Sequence, residues 1–254
     1  MPRAALARFA ALGHRARRPD DVMDDPMLTQ RSYAAFLFDM DGTLLDSIAS
    51  AVRVWTRWAE RHGLDAAAVV ETMHGVRAIE TIRRWGVPDV EREAAELTQA
   101  EIDDVDDVIA ISGAEAFLRA LPSDRWALVT SAPRRLALRR IEAAGLPVPP
   151  LLVTADDVVS GKPAPDCFLK AAELLGAAPE DCLVWEDAPA GISAAEAAGM
   201  TVVVIGATHA RPLDTEHPVI GGYDDLEVVL LPDSRLQLTV RDSEPVVEGR
   251  RAAE

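Results

Sequence analysis

The chain has 254 residues, of which 49% are hydrophobic and 27% are charged, as in a soluble protein of one or two globular domains. Its 26 basic and 42 acidic side chains give a net charge of −16, which argues against nucleic acid or an anionic membrane as the main partner. No apolar run approaches the roughly 20 residues that cross a bilayer, and two cysteines are too few for a disulfide framework.

Residues 1–30 differ in composition from the rest of the chain. Five arginines precede four aspartates there, without the serine enrichment of an organellar transit peptide or the apolar core of a secretory signal. We therefore expect a flexible extension over 1–30, or a start at Met23 or Met27. The polar residues 241–254 are expected to form a flexible tail.

Between these ends, short apolar runs alternate with helical patterns. Runs without polar alternation are typical of parallel strands that are covered on both faces. The predicted strands are 34–39, 126–130, 151–153, 182–186 and 201–205, and the predicted helices between the later ones are 134–144, 166–175 and 190–198. Each of these helices ends at a glycine. The pattern predicts an α/β fold with a Rossmann-like, doubly wound parallel sheet, built from 31–46 and 113–240.

Residues 47–112 interrupt this alternation directly after the first predicted strand. They contain helical patterns over 48–59, 79–85 and 91–107 and no buried strand. We expect a small all-helical cap domain inserted at this point. Nine carboxylates and one arginine between Asp89 and Asp107 carry half of the net charge. That face is expected to point to solvent, away from an anionic substrate.

The strongest local signal is the run Asp39-Met40-Asp41-Gly42-Thr43, which closes the first strand. Ligands of open parallel sheets bind beyond the carboxyl ends of the strands. Strand alternation places Asp39 and Asp41 on one side, and two close carboxylates suit a metal site, an acid–base pair, or both. Gly42 lets the chain turn away where a ligand approaches the backbone. The alternative is a plain turn at a strand end.

Three further strand ends carry polar residues. Thr130 and Ser131 offer hydroxyls that would bind a phosphoryl oxygen, or that would cap a helix instead. Lys162, one of only two lysines, stands between a glycine and a proline at the expected start of a helix. A cation is unfavourable there unless an anion accompanies it, and the alternative is a solvated surface lysine. Glu186 and Asp187 would complete a Mg²⁺ site, or cap the next helix.

In chain order these signals resemble the haloacid dehalogenase superfamily of aspartyl phosphotransferases, over roughly residues 34–232. The runs His74-Gly75-Val76-Arg77, Val129-Thr130-Ser131, Gly161-Lys162-Pro163 and Glu186-Asp187-Ala188-Pro189-Ala190-Gly191 look like the sugar-phosphatase and glycerol-phosphatase branch, which includes 2-deoxyglucose-6-phosphatases. In that branch a helical cap lies between the first and second motifs.

The resemblance implies a Mg²⁺-dependent phosphatase of small sugar or polyol phosphate monoesters that forms an aspartyl-phosphate intermediate. It assigns Asp39 as the nucleophile and Asp41 as the acid and base. The implied Mg²⁺ ligands are the Asp39 carboxylate, the Asp41 backbone carbonyl and Asp187. These assignments agree with the chemistry, because phosphoryl transfer requires positively charged groups that hold and neutralise an anionic substrate.

The same likeness gives roles to three further side chains of the core. Lys162 is expected to neutralise Asp39 and a phosphoryl oxygen, which makes it part of the catalytic set. Thr130 is expected to hold another phosphoryl oxygen. Glu186 is a supporting residue that orients Asp187 or binds the metal through water.

The cap is expected to supply specificity. Arg77 is the main candidate for contact with phosphate or sugar hydroxyls, and Gly75 would allow close approach. Trp55 would stack on a sugar, with packing inside the cap as the alternative. Ser131 is a further substrate-binding candidate, and Ser47 is a hinge or a substrate contact.

The alternatives are a phosphomutase or a nucleotide or cofactor phosphatase of the same superfamily and, more remotely, a non-catalytic binding module. β-Phosphoglucomutases carry a histidine where Ala51 stands, which favours hydrolysis. A binding module that had lost catalytic activity would be expected to lack at least one residue of the catalytic set. We expect a cytoplasmic monomer whose partner is a small-molecule phosphate monoester.

Overall fold

The computed structural model describes residues 30–211 and 213–240, so the predicted extension, apart from Gln30, and the predicted tail lie outside the described residues. The strands in chain order are β1 (Ser32–Tyr33), β2 (Ala35–Phe38), β3 (Leu45–Asp46), β4 (Ile109–Ala110), β5 (Trp126–Val129), β6 (Leu152–Val153), β7 (Cys182–Glu186), β8 (Thr201–Ile205), β9 (Val219–Ile220), β10 (Leu226–Leu230) and β11 (Leu236–Val240). The helices are α1 (Ile48–Arg61), α2 (Ala66–Met73), α3 (Ala78–Arg84), α4 (Val90–Asp103), α5 (Ala114–Ala120), α6 (Arg134–Ala143), α7 (Asp166–Leu175) and α8 (Pro189–Ala197). Two short 3₁₀ turns cover Ala155–Asp157 and Pro179–Asp181.

A six-stranded parallel sheet in the order β6-β5-β2-β7-β8-β9 forms the centre of the molecule. From β2 the chain moves outward through β5 to β6, and then returns to the other side of β2 through β7. This reversal of direction creates a crevice at the carboxyl end of β2, the usual ligand position in a doubly wound sheet. The predicted α/β class with a parallel sheet is confirmed.

The two faces of the sheet bury different side chains because successive residues of a strand point to opposite sides. Phe36 and Phe38 of β2 pack with Trp185 of β7 and with α5 and α6 on one face. The rings of Phe38 and Trp185 are stacked, with centroids 5.4 Å apart. Leu37 and Val184 belong to the opposite face, against α7 and α8. Covering on both faces explains why these strands lack polar alternation.

A second, antiparallel sheet was not anticipated from the sequence. It has the order β1-β11-β10 and packs Tyr33, Leu236 and Leu238 against the aromatic face of the central sheet. Strand β11 alternates buried and half-buried residues, so it differs from the continuous apolar runs that mark the central strands. Its period of two is the pattern of a strand with one exposed face.

Helices α1–α4, here called the helical unit, follow β3 and precede β4. Strands β3 and β4 pair antiparallel, so the two connections to the sheet lie side by side. The unit has a core of its own around Trp55, Trp58, Ile82 and Leu97. Helix α2 was not predicted. In the described part of the chain no helix is long and apolar enough to cross a membrane.

The acidic helix α4 does not present all of its carboxylates to solvent, and that expectation is wrong for Glu93 and Glu101, which are both buried. Glu93 accepts hydrogen bonds from Trp58 Nε1 at 3.1 Å, Arg61 Nη2 at 2.7 Å and His62 Nε2 at 2.9 Å. Buried charges are tolerated when they are paired and hydrogen-bonded in this way. Glu93 therefore joins α1 to α4, and Glu101 faces the cleft described below.

Candidate active site

The carboxyl end of the central strand β2 places Asp39 at the middle of the sheet edge. Its backbone N–H donates to the carbonyl of Trp185 at 2.9 Å, which extends the pairing of β2 with β7 by one residue. The chain then turns, because Met40 O accepts from the N–H groups of Thr43, Leu44 and Leu45. Met40 is fully buried in the aromatic face. The side chains of Asp39 and Asp41 are thereby left at the crevice.

Lys162 bridges the carboxylates of two acidic residues at this edge. Its Nζ lies 2.5 Å from Asp39 Oδ1 and 2.7 Å from Glu186 Oε1, and it donates more weakly to the carbonyl of Val129 at 3.3 Å. Only 1% of Lys162 is exposed, and its ammonium lies over the ring of Phe168. Helix α7 begins at Asp166, so Lys162 lies in the preceding loop, and the expectation that it starts the helix is wrong. The carboxylates, not the helix terminus, position it.

Glu186 is completely buried and uses both carboxylate oxygens. Oε1 receives Lys162, and Oε2 accepts the backbone N–H groups of Asp187 at 2.8 Å and Ala188 at 2.9 Å. A Cβ atom on Gly191 would lie 1.5 Å from Oε1, so a glycine is required opposite this side chain. Glu186 thus holds Lys162 on one side and the backbone of Asp187 on the other.

Asp187 completes an acidic cluster with Asp39 and Glu186. One carboxylate oxygen of each lies within 4.8 Å of the others, which is the kind of arrangement that holds a metal ion. Thr43 Oγ1 donates to Asp187 Oδ1 at 3.3 Å. Hard oxygen donors are the ligands that Mg²⁺ and Ca²⁺ prefer. The donor set therefore fits a hard divalent cation, with Asp39 and Asp187 freer to bind it than Glu186.

Burial and mutual repulsion shift the pKa values of these groups. Burial, with the charges of Glu186 and Asp41, raises the pKa of Asp39 to about 8, although Lys162 opposes the shift. Burial and the same acidic neighbours raise the pKa of Asp187 well above its usual range. Burial disfavours the charge on Lys162, but Asp39 and Glu186 outweigh it and raise its pKa. Three carboxylates thus face one ammonium, and this excess of acidic groups is expected of a site completed by a cation.

Asp41 lies beside the cluster and has different partners. Its Oδ1 accepts from Ser47 Oγ at 2.6 Å and from Arg140 Nη1 at 3.0 Å. The other terminal nitrogen of Arg140 donates to Glu101 Oε1 at 3.0 Å. Arg140 belongs to α6 of the core and Glu101 to α4 of the helical unit. The carboxylate of Asp41 is thus connected to the helical unit through one guanidinium.

The sheet edge and the helical unit enclose a cleft of about 90 Å³. This volume is below the roughly 300–1,000 Å³ of pockets that take drug-sized ligands, so a compact ligand fits it. The core contributes Asp39, Asp41, Asp187 and the loop after β5, whereas the helical unit contributes Glu101 and mainly apolar side chains. The residues that line the cleft include Asp39, Asp41, Ser47, Ile48, Ala51, Trp55, Met73, His74, Gly75, Val76, Glu101, Thr130, Ser131, Leu136, Arg140 and Asp187.

Four of the predicted ligand-binding residues line this cleft with Asp39, Asp41 and Asp187. Thr130 is buried, and its Oγ1 accepts the N–H of Ala132 at 3.0 Å. Ser131 Oγ donates to the carbonyl of Gly75 at 2.9 Å, a direct bond between the core and the helical unit. Trp55 forms part of the cleft wall and also packs edge-on against Trp58, and its stacking on a sugar stays a prediction.

Arg77 occupies a different place from these four. Its guanidinium is paired with Glu80 and donates to the carbonyl of Val158 at 3.4 Å. The side chain lies across Gly161, where a Cβ would be 2.5 Å from Arg77 Nε. The structure therefore places Arg77 in a contact between the helical unit and the loop that carries Lys162. Substrate binding by Arg77 stays a prediction.

Arg140 and Glu101 were not predicted from the sequence. Helix α6 buries Leu136, Ala137, Arg140 and Ile141, so an arginine stands on the apolar face. Helix α4 buries Glu93, Leu97 and Glu101 at intervals of four residues. A charged residue at an apolar position of a helical repeat is the signal that would have identified both.

Comparisons with known proteins agree with this geometry. Residues 33–199 match the family described as haloacid dehalogenase-like hydrolase. Hexitol phosphatase A of Escherichia coli (strain K12) is 42% identical over 186 residues, which cover 71% of this chain and 84% of that protein. Glycerol-1-phosphate phosphohydrolase 2 of Saccharomyces cerevisiae is 33% identical over 187 residues, covering 68% and 75%. The crystal structure of a hydrolase from Pseudomonas syringae superposes with a TM-score of 0.63 at 30% identity, covering 68% of this chain and 84% of that one.

Substitution of Gly42 by alanine tests how tightly the acidic cluster is packed. Gly42 has φ +84°, and a Cβ there would lie 2.0 Å from Asp187 Oδ2. Gly63 has φ +66° with nothing within 4 Å of its Cβ position, so Gly63→Ala is a control for backbone strain alone. We expect Gly63→Ala to cost about 1 kcal/mol of unfolding free energy, and Gly42→Ala about 2 kcal/mol more. Urea unfolding measures both, and equal losses would contradict the close contact.

Proposed function

The chain belongs to the haloacid dehalogenase-like hydrolase family, and on that basis we propose that it hydrolyses phosphate monoesters of small sugars or polyols. The observation that carries the proposal is the contact of Lys162 with Asp39 at 2.5 Å beside a three-carboxylate cluster at the sheet edge. This arrangement supplies a nucleophile, a fixed cation and a cation site in one place. Relatives that match over most of their length are named for phosphatase activity on hexitol and glycerol phosphates.

Electrostatic repulsion is the main obstacle to the reaction, because a carboxylate must approach a phosphate ester that is also anionic. Two unit charges 4 Å apart repel by about 4 kcal/mol at the effective dielectric constant of a partly buried site. Lys162 offsets this repulsion at Asp39. Thr130 supplies a hydroxyl for a phosphoryl oxygen at the end of the neighbouring strand β5. Preorganised groups of this kind stabilise the charge that develops in the transition state.

We propose that Asp39 and Asp187, with the backbone carbonyl of Asp41, hold a Mg²⁺ ion. The fit rests on the oxygen-only donor set and on the raised pKa values of Asp39 and Asp187, since burial and neighbouring carboxylates disfavour their ionisation until a cation binds. When bound, the ion supplies positive charge against the phosphoryl oxygens. Glu186 keeps Lys162 and the Asp187 backbone in position.

In the proposed mechanism, a carboxylate oxygen of Asp39 attacks phosphorus and the bond to the ester oxygen breaks. Asp41 gives its proton to the departing sugar or polyol oxygen. Asp41 then takes a proton from the water that attacks the aspartyl-phosphate, which releases phosphate and restores Asp39. Its contacts with Ser47 and Arg140 hold Asp41 at the cleft before the reaction.

The helical unit is proposed to act as a cap that encloses the leaving group. It lines the cleft with Ile48, Ala51, Trp55 and Met73, and the small volume favours a compact ester over a nucleotide. Ala51 offers no group for proton transfer at the position where the mutase relatives carry a histidine. Hydrolysis is therefore preferred to phosphomutase chemistry.

Replacement of the proposed nucleophile gives the most direct test. We expect Asp39→Asn to lower kcat by at least about 10³-fold, because an amide does not form the acyl phosphate. Phosphate release from a panel of sugar, polyol and nucleotide monophosphates, with Mg²⁺ present, measures the effect. Asp124→Asn makes the same charge change at an exposed position outside the cleft and serves as the control. Wild-type rates in Asp39→Asn would overturn the mechanism.

The role of Asp41 predicts a dependence on the leaving group. General acid catalysis contributes roughly 10²–10⁴-fold when the leaving oxygen is basic. Asp41→Asn is therefore expected to lose at least about 100-fold more kcat on glycerol phosphate than on p-nitrophenyl phosphate, whose leaving group departs without a proton. Equal losses on both substrates would contradict the proton-transfer role and leave only a binding role.

Metal binding is expected to depend on pH. Because the folded-state pKa of Asp39 is raised to about 8 in the absence of metal, the folded protein binds that proton more tightly than the unfolded chain. The metal-free protein should lose stability as the pH rises from about 4 to about 8, and Mg²⁺ should restore it. We predict a larger rise in Tm on adding Mg²⁺ at pH 8 than at pH 6. Asp187→Asn should abolish this rise, and a pH-independent rise would contradict the proposed ligands.

A further inference from the structure

A buried ion pair between Glu101 and Arg140 lines the cleft, and the mechanism above uses only the contact of Arg140 with Asp41. Glu101 comes from α4 of the helical unit and Arg140 from α6 of the core, with Arg140 Nη2 3.0 Å from Glu101 Oε1. Both residues border the cleft, although only 6% of Glu101 and 4% of Arg140 are exposed. Burial of two charges is costly unless their bonding is well satisfied. The burial of this pair beside the cleft therefore suggests that it has a function there.

The pair lies beside Asp41, the residue that is proposed to protonate the leaving group. Arg140 Nη1 donates to Asp41 Oδ1 at 3.0 Å. In the proposed mechanism Asp41 must reach the ester oxygen that departs, and the carbon atoms attached to that oxygen extend beyond it. The direct neighbours of Asp41 are therefore also neighbours of the leaving group.

Arg140 retains donors that the described residues do not use. Its Nε is buried and has no hydrogen-bond partner among them, and a guanidinium offers five N–H groups in all. The wall nearby is formed largely by apolar side chains, namely Ile48, Ala51, Trp55, Met73 and Leu136. A buried donor without a partner destabilises the fold. A ligand whose oxygen atoms approach Arg140 would offer acceptors to the N–H groups that the described residues leave unused.

The charges of the pair define the kind of ligand. Arg140 donates hydrogen bonds and Glu101 accepts them, so together they match hydroxyl groups, which do both. Glu101 also neutralises Arg140, and Asp41 lies against the same guanidinium. No net positive charge remains for a leaving group that carries a carboxylate or a second phosphate. Such a group would be repelled by Glu101 at short range.

We propose that Glu101 and Arg140 form a leaving-group subsite that binds the hydroxyls of a neutral polyol or sugar and discriminates against anionic leaving groups. This inference rests on the proposed phosphatase function. It makes both residues determinants of specificity, and it assigns one half of the subsite to the helical unit and the other half to the core.

The test compares three substrates in the full-length protein with Mg²⁺. Glycerol phosphate has a neutral hydroxylated leaving group, p-nitrophenyl phosphate has no hydroxyl, and 2-phosphoglycolate carries a carboxylate. In the wild type we expect kcat/KM for glycerol phosphate to exceed that for 2-phosphoglycolate at least tenfold. In Glu101→Gln we expect the ratio of glycerol phosphate to p-nitrophenyl phosphate to fall about tenfold, the size of one hydrogen bond to a charged group. The ratio of 2-phosphoglycolate to glycerol phosphate should rise.

Glu96→Gln is the matched control, because Glu96 lies on the same helix, outside the cleft lining, and pairs with Arg61 and Arg92 at the surface. It should leave both ratios within twofold of the wild type. Arg140→Lys keeps the positive charge but removes the planar guanidinium and its several N–H donors. It should lower the ratio of glycerol phosphate to p-nitrophenyl phosphate in the same direction as Glu101→Gln.

Several results would overturn the inference. One is a wild type that hydrolyses 2-phosphoglycolate as efficiently as glycerol phosphate, which needs no variant and is independent of whether Glu101→Gln folds. Another is a folded Glu101→Gln protein, verified by its Tm, with unchanged ratios. Absence of phosphate release from all three substrates by the wild type would instead remove the proposed function and this inference with it.

Discussion

The bridge from Lys162 to Asp39 and Glu186 is the interaction on which the rest of the site depends. Three carboxylates meet at the end of β2 and β7, where the sheet is covered on both faces and water has little access. Neighbouring unit charges in such a place repel by about 4 kcal/mol at 4 Å. One buried ammonium reduces that repulsion and also aligns the carboxylate of Asp39. Burial and residual repulsion still raise the pKa values of Asp39 and Asp187, so the same packing that protects the site also creates its demand for a cation.

Close packing around the carboxylates constrains the backbone as strongly as the charges do. Gly42 turns away with a positive φ directly opposite Asp187, and a Cβ atom on Gly191 would collide with the carboxylate of Glu186. Both glycines are needed for the absence of a Cβ atom. Within this site, the positions of the carboxylates and the paths of the two loops therefore depend on each other.

Polar contacts link the helical unit to the core. Ser131 donates to Gly75, Arg77 lies over Gly161, and Arg140 joins Asp41 to Glu101. Each contact links the helical unit to a core loop or helix that carries a site residue or lines the cleft. In the proposed mechanism, enclosure of the leaving group and alignment of Asp41 are therefore coupled through side chains rather than through the backbone connections at β3 and β4.

Local sequence was sufficient for the α/β class, because continuous apolar runs followed by polar residues identify strands buried on both faces and the edge where they end. That rule pointed to Asp39, Thr130 and Asp187, the scarcity of lysine pointed to Lys162, and the family resemblance joined these residues into one expected site. The family resemblance, which the comparisons bear out, added an expected role for each. The antiparallel sheet was missed because the continuous apolar runs used to find strands do not occur in β11, which has one exposed face. Helix α2 was missed as well.

Only the tertiary structure decided what each charge is paired with. An arginine on the apolar face of α6 and a glutamate on that of α4 become meaningful when the two helices meet beside Asp41. The same applies to Arg77, whose partners lie in its own helix and in the loop before Lys162. The sequence by itself determined the fold class and which strand ends carry the acidic and polar side chains of the cleft, because both depend on patterns of neighbouring residues. The cleft lining, the ion pairs and the direction of each carboxylate depend on contacts between distant residues, which only folding brings together.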